Sequence, residues 1–273
     1  MLKTQQYING KYKIIKYLCE GGTSYIYEVE EEEYKLAILK VSKQPTTLLN
    51  TQIDNEAKIL AAVNHEKIPK LFDKLTMDRH YHGIILEKLD GVRLSEIIEK
   101  ERRPFDWREV LDVARQLADI IQAFHNNNPP IVIRDIKPSN ILLSDQAQIN
   151  LIDFGASAAL NSLEQHKALG TIGYAAPEQF ENGVIDLRSD LFSFGATLFY
   201  IVSGGKNIYT SNSANILSEN LPKAFAHLIS KLSETNVDER YDSIDLVINK
   251  LKKVRPTFME RLFRPDIDQP TKT

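Results

Sequence analysis

Residues 131–155 read IVIRDIKPSNILLSDQAQINLIDFG, and this stretch decides the fold. Three apolar runs punctuate it: Ile131-Val132-Ile133, Ile141-Leu142-Leu143 and Leu151-Ile152. Each has the length and branched character of a short buried strand. Among these runs stand four polar residues, Asp135, Lys137, Asn140 and Asp153. A loop held between buried strands keeps its carboxylates rigid, and rigidity is what the positioning of a phosphate requires.

The strands outside this stretch lie upstream. Tyr12 to Leu18, Tyr25 to Val29 and Lys35 to Val41 are rich in β-branched and aromatic residues and are separated by turn-like breaks. The acidic run Glu30 to Glu33 reads as a solvated turn between the second and third of them. One helix interrupts the strands, with Ile53, Ala57, Leu60 and Ala61 on a common face. After Gly91 the pattern turns helical. Asp106 and Glu109 form a capping box ahead of a stripe of Val110, Val113, Ala114, Leu117, Ala118 and Ile121. Asn126 to Pro130 ends that helix. Asp190 to Val202 is apolar nearly all round, the mark of a helix at the centre of a lobe.

The expected architecture is therefore α+β and two-lobed. A small strand-rich lobe with one main helix takes residues 1–90, and a larger, mostly helical lobe takes 91–254. Residues 255–273 read as a tail. Its Phe258, Met259, Leu262 and Phe263 form an apolar face suited either to packing back or to docking elsewhere.

Composition narrows the class further. With 42% hydrophobic and 26% charged residues, the 273-residue chain is of ordinary globular type. Its formal charge of −3 gives no electrostatic reason to expect nucleic acid as a partner. Cys19 is the only cysteine, so a disulfide framework and a cysteine zinc cluster are excluded. The opening MLKTQQYING lacks an apolar signal core. The longest apolar run, Leu191 to Val202, falls short of the roughly 20 residues that span a bilayer. A cytoplasmic location without a membrane span is expected.

Over residues 12–254 the motifs resemble those of Ser/Thr protein kinases, close to the eukaryotic-like kinases of bacteria. The resemblance implies the two-lobed kinase fold, ATP and Mg²⁺ as cofactors, and protein hydroxyls as substrates. It also implies autophosphorylation, with a dimer as one route to it. In Ala37-Ile38-Leu39-Lys40, Lys40 matches the lysine of V-A-I-K, and Glu56 matches its glutamate partner. Asp135 matches the catalytic aspartate, and Lys137 the lysine that contacts the transferring phosphate in Ser/Thr kinases. Asn140 and Asp153 match the Mg²⁺ ligands, oxygen donors suited to a hard cation. By the same resemblance Leu18, Ile26, Ile38, Leu86 and Leu142 enclose the adenine, with Glu87 to Leu89 as the hinge and Leu86 as gatekeeper. Thr171 matches a threonine that bonds the catalytic aspartate, and Asp190 one that bonds the backbone of its loop. Glu178 and Arg240 match a buried ion pair of the large lobe.

Two places depart from the family pattern. Against G-x-G-x-x-G the chain has Cys19-Glu20-Gly21-Gly22-Thr23-Ser24, which keeps Gly21 in place with Gly22 beside it. Here Cys19 reads as a small filler. Ile133 replaces the histidine of H-R-D and removes an imidazole that supports the metal loop. Arg134 beside Asp135 implies regulation by phosphate, and Ser162 is the expected phosphoacceptor because Thr171 is committed to the substrate loop. The departures keep two further readings open, a nucleotide-binding pseudokinase acting as an interaction module and a small-molecule phosphotransferase. The full set of Lys40, Glu56, Asp135, Asn140 and Asp153 weighs against the first. Lys137, Thr171 and the Glu178–Arg240 pair weigh against the second.

Overall fold

Alternation of inward and outward side chains builds the first part of the molecule. In the computed structural model, which describes residues 2–31, 35–78, 80–101, 104–160, 170–181 and 186–255, strands β1 (Tyr7–Ile8), β2 (Tyr12–Glu20), β3 (Ser24–Glu31) and β4 (Lys35–Ser42) come first. Helix α1 (Thr47–Ala62) follows, then β5 (Leu71–Met77) and β6 (Tyr81–Glu87). These six strands form one antiparallel sheet in the order β1-β2-β3-β4-β6-β5. On β4, Ala37, Leu39 and Val41 point into a core with Tyr12, Ile14, Tyr27, Val29 and Ile85. The intervening Ile38 and Lys40 face the other way, as the period of two demands.

The expected strands stand where the pattern put them, with two corrections. Glu30 and Glu31 are the last residues of β3 rather than part of a turn, and Glu31 is buried beside Lys11. Glu32 and Glu33 lie outside the described residues. On α1 the face that packs is Ile53, Glu56, Ala57, Ile59 and Leu60, while Ala61 is exposed. The helix is rotated so that Glu56, not Ala61, turns inward. The Thr46 side chain caps its start by accepting from the Leu49 N–H.

The second part is mostly helical. After β7 (Val92–Arg93) come α2 (Leu94–Glu101) and α3 (Trp107–His125). Three short strands follow, β8 (Ile131–Val132), β9 (Ile141–Leu143) and β10 (Ile149–Leu151), and β11 (Ala158–Ala159) pairs back onto β8. The chain then forms α4 (Pro177–Glu181), α5 (Leu187–Val202), α6 (Ser213–Asn220), α7 (Lys223–Leu232) and α8 (Ile244–Leu251). The capping box of α3 is formed on both sides: Asp106 takes the Arg108 N–H and the Glu109 carboxylate takes the Asp106 N–H. All six residues of its apolar stripe are buried. Helix α5 is buried on every side, and Gly195 lets α7 approach it closely. A Cβ there would strike Ser233 Oγ and come within 2.8 Å of Leu232 Cβ.

Strands β10, β9 and β7 form a small sheet within the second part, tied to the first where the Leu151 N–H donates to the Lys67 carbonyl at 2.9 Å. Gly91 makes the approach to it. Its φ is +128°, and a Cβ would lie 2.9 Å from the Leu143 backbone, so no other residue fits this connection. The expected tail residues Phe258, Met259, Leu262 and Phe263 lie outside the described residues, as does Ser162. No helix among the described residues is long and apolar enough to cross a membrane.

The Glu178–Arg240 pair ties α4 to the segment before α8. Arg240 Nη1 and Nη2 lie 2.6 and 2.8 Å from the two Glu178 oxygens, and Ser189 Oγ donates to Glu178 Oε1 at 2.7 Å. Burial pushes the Glu178 carboxyl up, but Arg240 and Ser189 outweigh it and hold the group below its ordinary value. A depressed carboxylate contributes stability above its unfolded pKa and loses it as pH falls through the folded one. Glu178→Gln leaves the Arg240 guanidinium buried without its countercharge. The expected cost is about 3 kcal/mol, or roughly 6–12 °C in Tm at neutral pH. Thermal melts of the variant and the parent should converge as the pH is lowered below about 4.

Candidate active site

Two buried charges and one half-exposed carboxylate meet behind the sheet. Lys40 Nζ on β4 lies 2.6 Å from Glu56 Oε2 on α1 and 2.7 Å from Asp153 Oδ1 in the loop after β10. Burial alone would lower the Lys40 pKa, but Asp153 and Glu56 raise the ammonium above the usual lysine range. Burial raises the Glu56 carboxyl, with Lys40 opposing the shift. At Asp153 burial is overcome by the Lys40 charge and hydrogen bond and by the Gly155 N–H, which together hold the carboxyl below its ordinary value. The second Glu56 oxygen accepts the Phe154 N–H at 3.3 Å, so one helical residue grips both the lysine and the loop after β10.

A cavity of about 650 Å³ opens in front of this triad. Leu18 and Ile26 line it from β2 and β3, Ile38 from β4, Leu86 and Glu87 from the end of β6, Leu89 from the connection, and Leu142 from β9. Gly21, Gly22, Lys40, Glu56, Lys137, Asn140 and Asp153 line it as well. Residues spread over more than 130 positions of sequence thus share one concave surface. The turn after β2 closes on itself through the Gly21 N–H, which donates to the Ser24 carbonyl at 2.9 Å.

Asp135 sits beside the cavity with both oxygens engaged. Thr171 Oγ1 donates to Oδ1 at 2.7 Å and Lys137 Nζ to Oδ2 at 2.7 Å, while Lys137 also reaches Thr171 Oγ1 at 2.7 Å. Asn140 Nδ2 donates to the Asp135 carbonyl at 2.9 Å and to Oδ2 at 3.1 Å. These bonds turn the Asn140 amide so that its oxygen is left for another partner. Among the described residues, Asp153 Oδ2 likewise accepts no hydrogen bond, and the Asp153 side chain is 44% exposed. One amide and one carboxylate oxygen on a cavity wall suit a hard cation that takes its remaining ligands from water and phosphate. No group of three His, Cys, Asp or Glu that could hold a metal by protein ligands alone occurs among the described residues.

The loop under Asp135 is held from below by Asp190, which is fully buried on α5. Asp190 accepts the Ile133 N–H and the Arg134 N–H, each at 2.8 Å, and lies 2.9 Å from His125 Nε2. Ser157 Oγ donates to the Ile133 carbonyl at 3.1 Å, and Gln179 Nε2 to the Arg134 carbonyl at 3.3 Å. Arg134 and Asp153 both adopt left-handed backbone, with φ of 69° and 70°. Such angles cost a non-glycine residue free energy and persist where the surroundings impose them. Arg134 is only 4% exposed, and burial pushes its guanidinium down while Asp190 pulls it back up.

Support for the loop at position 133 therefore comes through the main chain. Ile133 itself is buried in the core that also holds Phe154, which stacks on Phe124 at 5.0 Å. His125, Ser157 and Gln179 were not among the expected site residues. His125 falls on the buried stripe of α3, four residues after Ile121, and that placement is the signal that marks it. Cys19 is corrected in kind: its Sγ accepts from Arg93 Nη2 at 3.4 Å, a polar contact rather than filler.

Comparison with known proteins gives a consistent picture. A family model described as the protein kinase domain matches residues 12–266. A probable serine/threonine-protein kinase of Clostridium acetobutylicum is 26% identical over 92% of this chain and 41% of its own length. Serine/threonine-protein kinase PrkC of Bacillus subtilis is 27% identical over 87% of this chain and 39% of its own. Cold-responsive protein kinase 1 of Arabidopsis thaliana is 29% identical over 86% of this chain and 60% of its own. The chain spans about two fifths of the length of the two bacterial relatives.

Asp190→Asn removes one of the two oxygens that the loop N–H groups share. Hydrogen exchange at the Ile133 and Arg134 amides should accelerate by at least about tenfold, with a stability loss of about 1–3 kcal/mol. Unchanged protection at both amides would contradict the anchoring role.

Proposed function

The chain belongs to the protein kinase family, and from that premise we propose that it is a Ser/Thr protein kinase transferring the γ-phosphoryl group of ATP to protein hydroxyls. The observation that carries this reading is the engagement of Asp135 by both Lys137 and Thr171 at the edge of the cavity. A threonine hydroxyl bonded to the carboxylate marks the place where another hydroxyl is oriented. Lys137 adds a positive charge beside it, where charge develops as a phosphoryl group moves.

Each remaining residue has an assigned task. Lys40, fixed by Glu56, holds a permanent cation at the back of the cavity. Asn140 and Asp153 would hold Mg²⁺. Bound Mg²⁺-ATP supplies the transferring group and neutralises its charge. Leu18, Ile26, Ile38, Leu86 and Leu142 exclude water from the base, and the Glu87 to Leu89 backbone orients it. Gly21 and Gly22 allow close approach of backbone to phosphate. Residues 1–90 are assigned to the nucleotide-covering lobe and 91–254 to the catalytic and substrate lobe. Arg134 is assigned as counter-charge to a phosphate on Ser162. The reading extends to protein substrates, autophosphorylation and a cytoplasmic place of action.

Purified protein incubated with labelled ATP and Mg²⁺ should incorporate phosphate into its own serine and threonine residues, Ser162 among them. Asp135→Asn should lower the rate by about 10²–10⁴-fold. Lys40→Met should abolish measurable transfer, and chelation of the metal should do the same. Equal incorporation by the parent and Asp135→Asn would overturn the proposal.

A further inference from the structure

At the mouth of the cavity one side-chain contact joins its roof to its floor. On the roof, Cys19 of β2 pairs with Ile26 of β3. On the floor, Arg93 of β7 pairs with Leu142 of β9. Ile26 and Leu142 face the cavity from the two parts of the fold. The Arg93 guanidinium spans the gap between them. Its Nη2 donates to Cys19 Sγ at 3.4 Å and its Nη1 lies 3.2 Å from Glu96 Oε1 on α2. Cys19, Arg93 and Glu96 all line the cavity.

The chemistry of the arginine suits this geometry. Its planar fork can hold two acceptors at once, whereas a lysine ammonium is a single point charge. Glu96 takes one arm and fixes the orientation of the other, which is left aimed at sulfur. The side chain is 36% exposed, so the contact can break and reform without unfolding anything. The connection between the two parts is held separately. Lys88 is bonded at 2.6 Å to the buried Glu28 of β3, which Lys16 also approaches. The lip formed by β2 and the Gly21-Gly22 turn is tied to the rest of the sheet by Lys43, whose N–H donates to the Thr23 carbonyl at 3.0 Å, and Arg93 ties it to the floor.

We propose that Arg93 is a positioning residue for the nucleotide, a latch that holds the β2 lip closed through Cys19 and so tightens nucleotide binding. The proposal rests on the reading of the cavity as the ATP site. A lip already closed in the free protein need not be ordered when nucleotide arrives, and a protein that populates the closed form less often binds more weakly in proportion.

The test is calorimetric titration of the whole chain with Mg²⁺-ADP, with KM for ATP and kcat measured on the same samples. Arg93→Ala and Cys19→Ala should each raise the Kd for ADP about three- to tenfold. KM for ATP should rise by more than kcat changes. The double variant should be no weaker than the weaker single one, because both substitutions break the same contact. Cys19→Ser keeps an acceptor in place and should stay within about twofold of the parent, while Arg93→Lys, lacking the fork, should behave like Arg93→Ala. Parent-like ADP affinity in Arg93→Ala overturns the latch and leaves the nucleotide site standing. So do effects that multiply in the double variant. Failure of the parent to bind ADP at all overturns the reading of the cavity, and the latch with it.

Discussion

The charge on Lys40 is the constraint from which the rest of the site follows. An ammonium at 7% exposure is tolerated only because two carboxylates lie within 2.7 Å of it. Each carboxylate belongs to a different element, so satisfying one buried charge fixes the sheet, α1 and the loop after β10 against one another. Removing Lys40 would leave Glu56, 1% exposed, with its charge uncompensated in a medium that does not solvate it. The triad therefore couples folding to function: the arrangement that lets the lysine remain charged inside the protein is also the one that aims Asp153 into the cavity.

A second anchor works from the opposite side. Asp190 takes two consecutive backbone N–H groups, which forces the unusual backbone of Arg134 and presents Asp135 upward. Because the bonds run to the main chain, the identity of the side chain at 133 matters less than its size. An isoleucine fills the core there, and Ser157 holds its carbonyl. The loop that carries Asp135 is thus clamped from below by Asp190, Ser157 and Gln179, and across its own turn by Lys137 and Asn140.

What could be read from sequence follows from which constraints are local. Lys40, Asp135, Lys137, Asn140 and Asp153 were legible before any coordinates because their motifs resemble those of protein kinases, whose short strands and turns keep the spacings. The cap and stripe of α3 were legible because both repeat within a few residues. The inward turn of Glu56 was not visible in periodicity, because apolar matching favours Ala61 and the decision was made by an ion pair to another element. The burial of Glu31 depends on Lys11, and His125 on Asp190, each a partner distant in sequence. The same holds for Cys19 and Arg93, 74 positions apart. Pattern within either neighbourhood does not reveal such contacts, and the Lys40–Glu56 pair alone among them was expected, through the resemblance to protein kinases.

The solitary sulfur has a consequence outside the reaction. A probe that alkylates thiols has one address in these 273 residues, and it lies on the rim of the cavity in front of Lys40. A fluorophore placed there would displace the Arg93 contact and so report the β2 turn released from it. A heterocycle that fills the cavity and carries a mild electrophile would meet the same atom at its rim. Selectivity for this protein over a relative without that thiol would then be set by bond formation and not by fit alone.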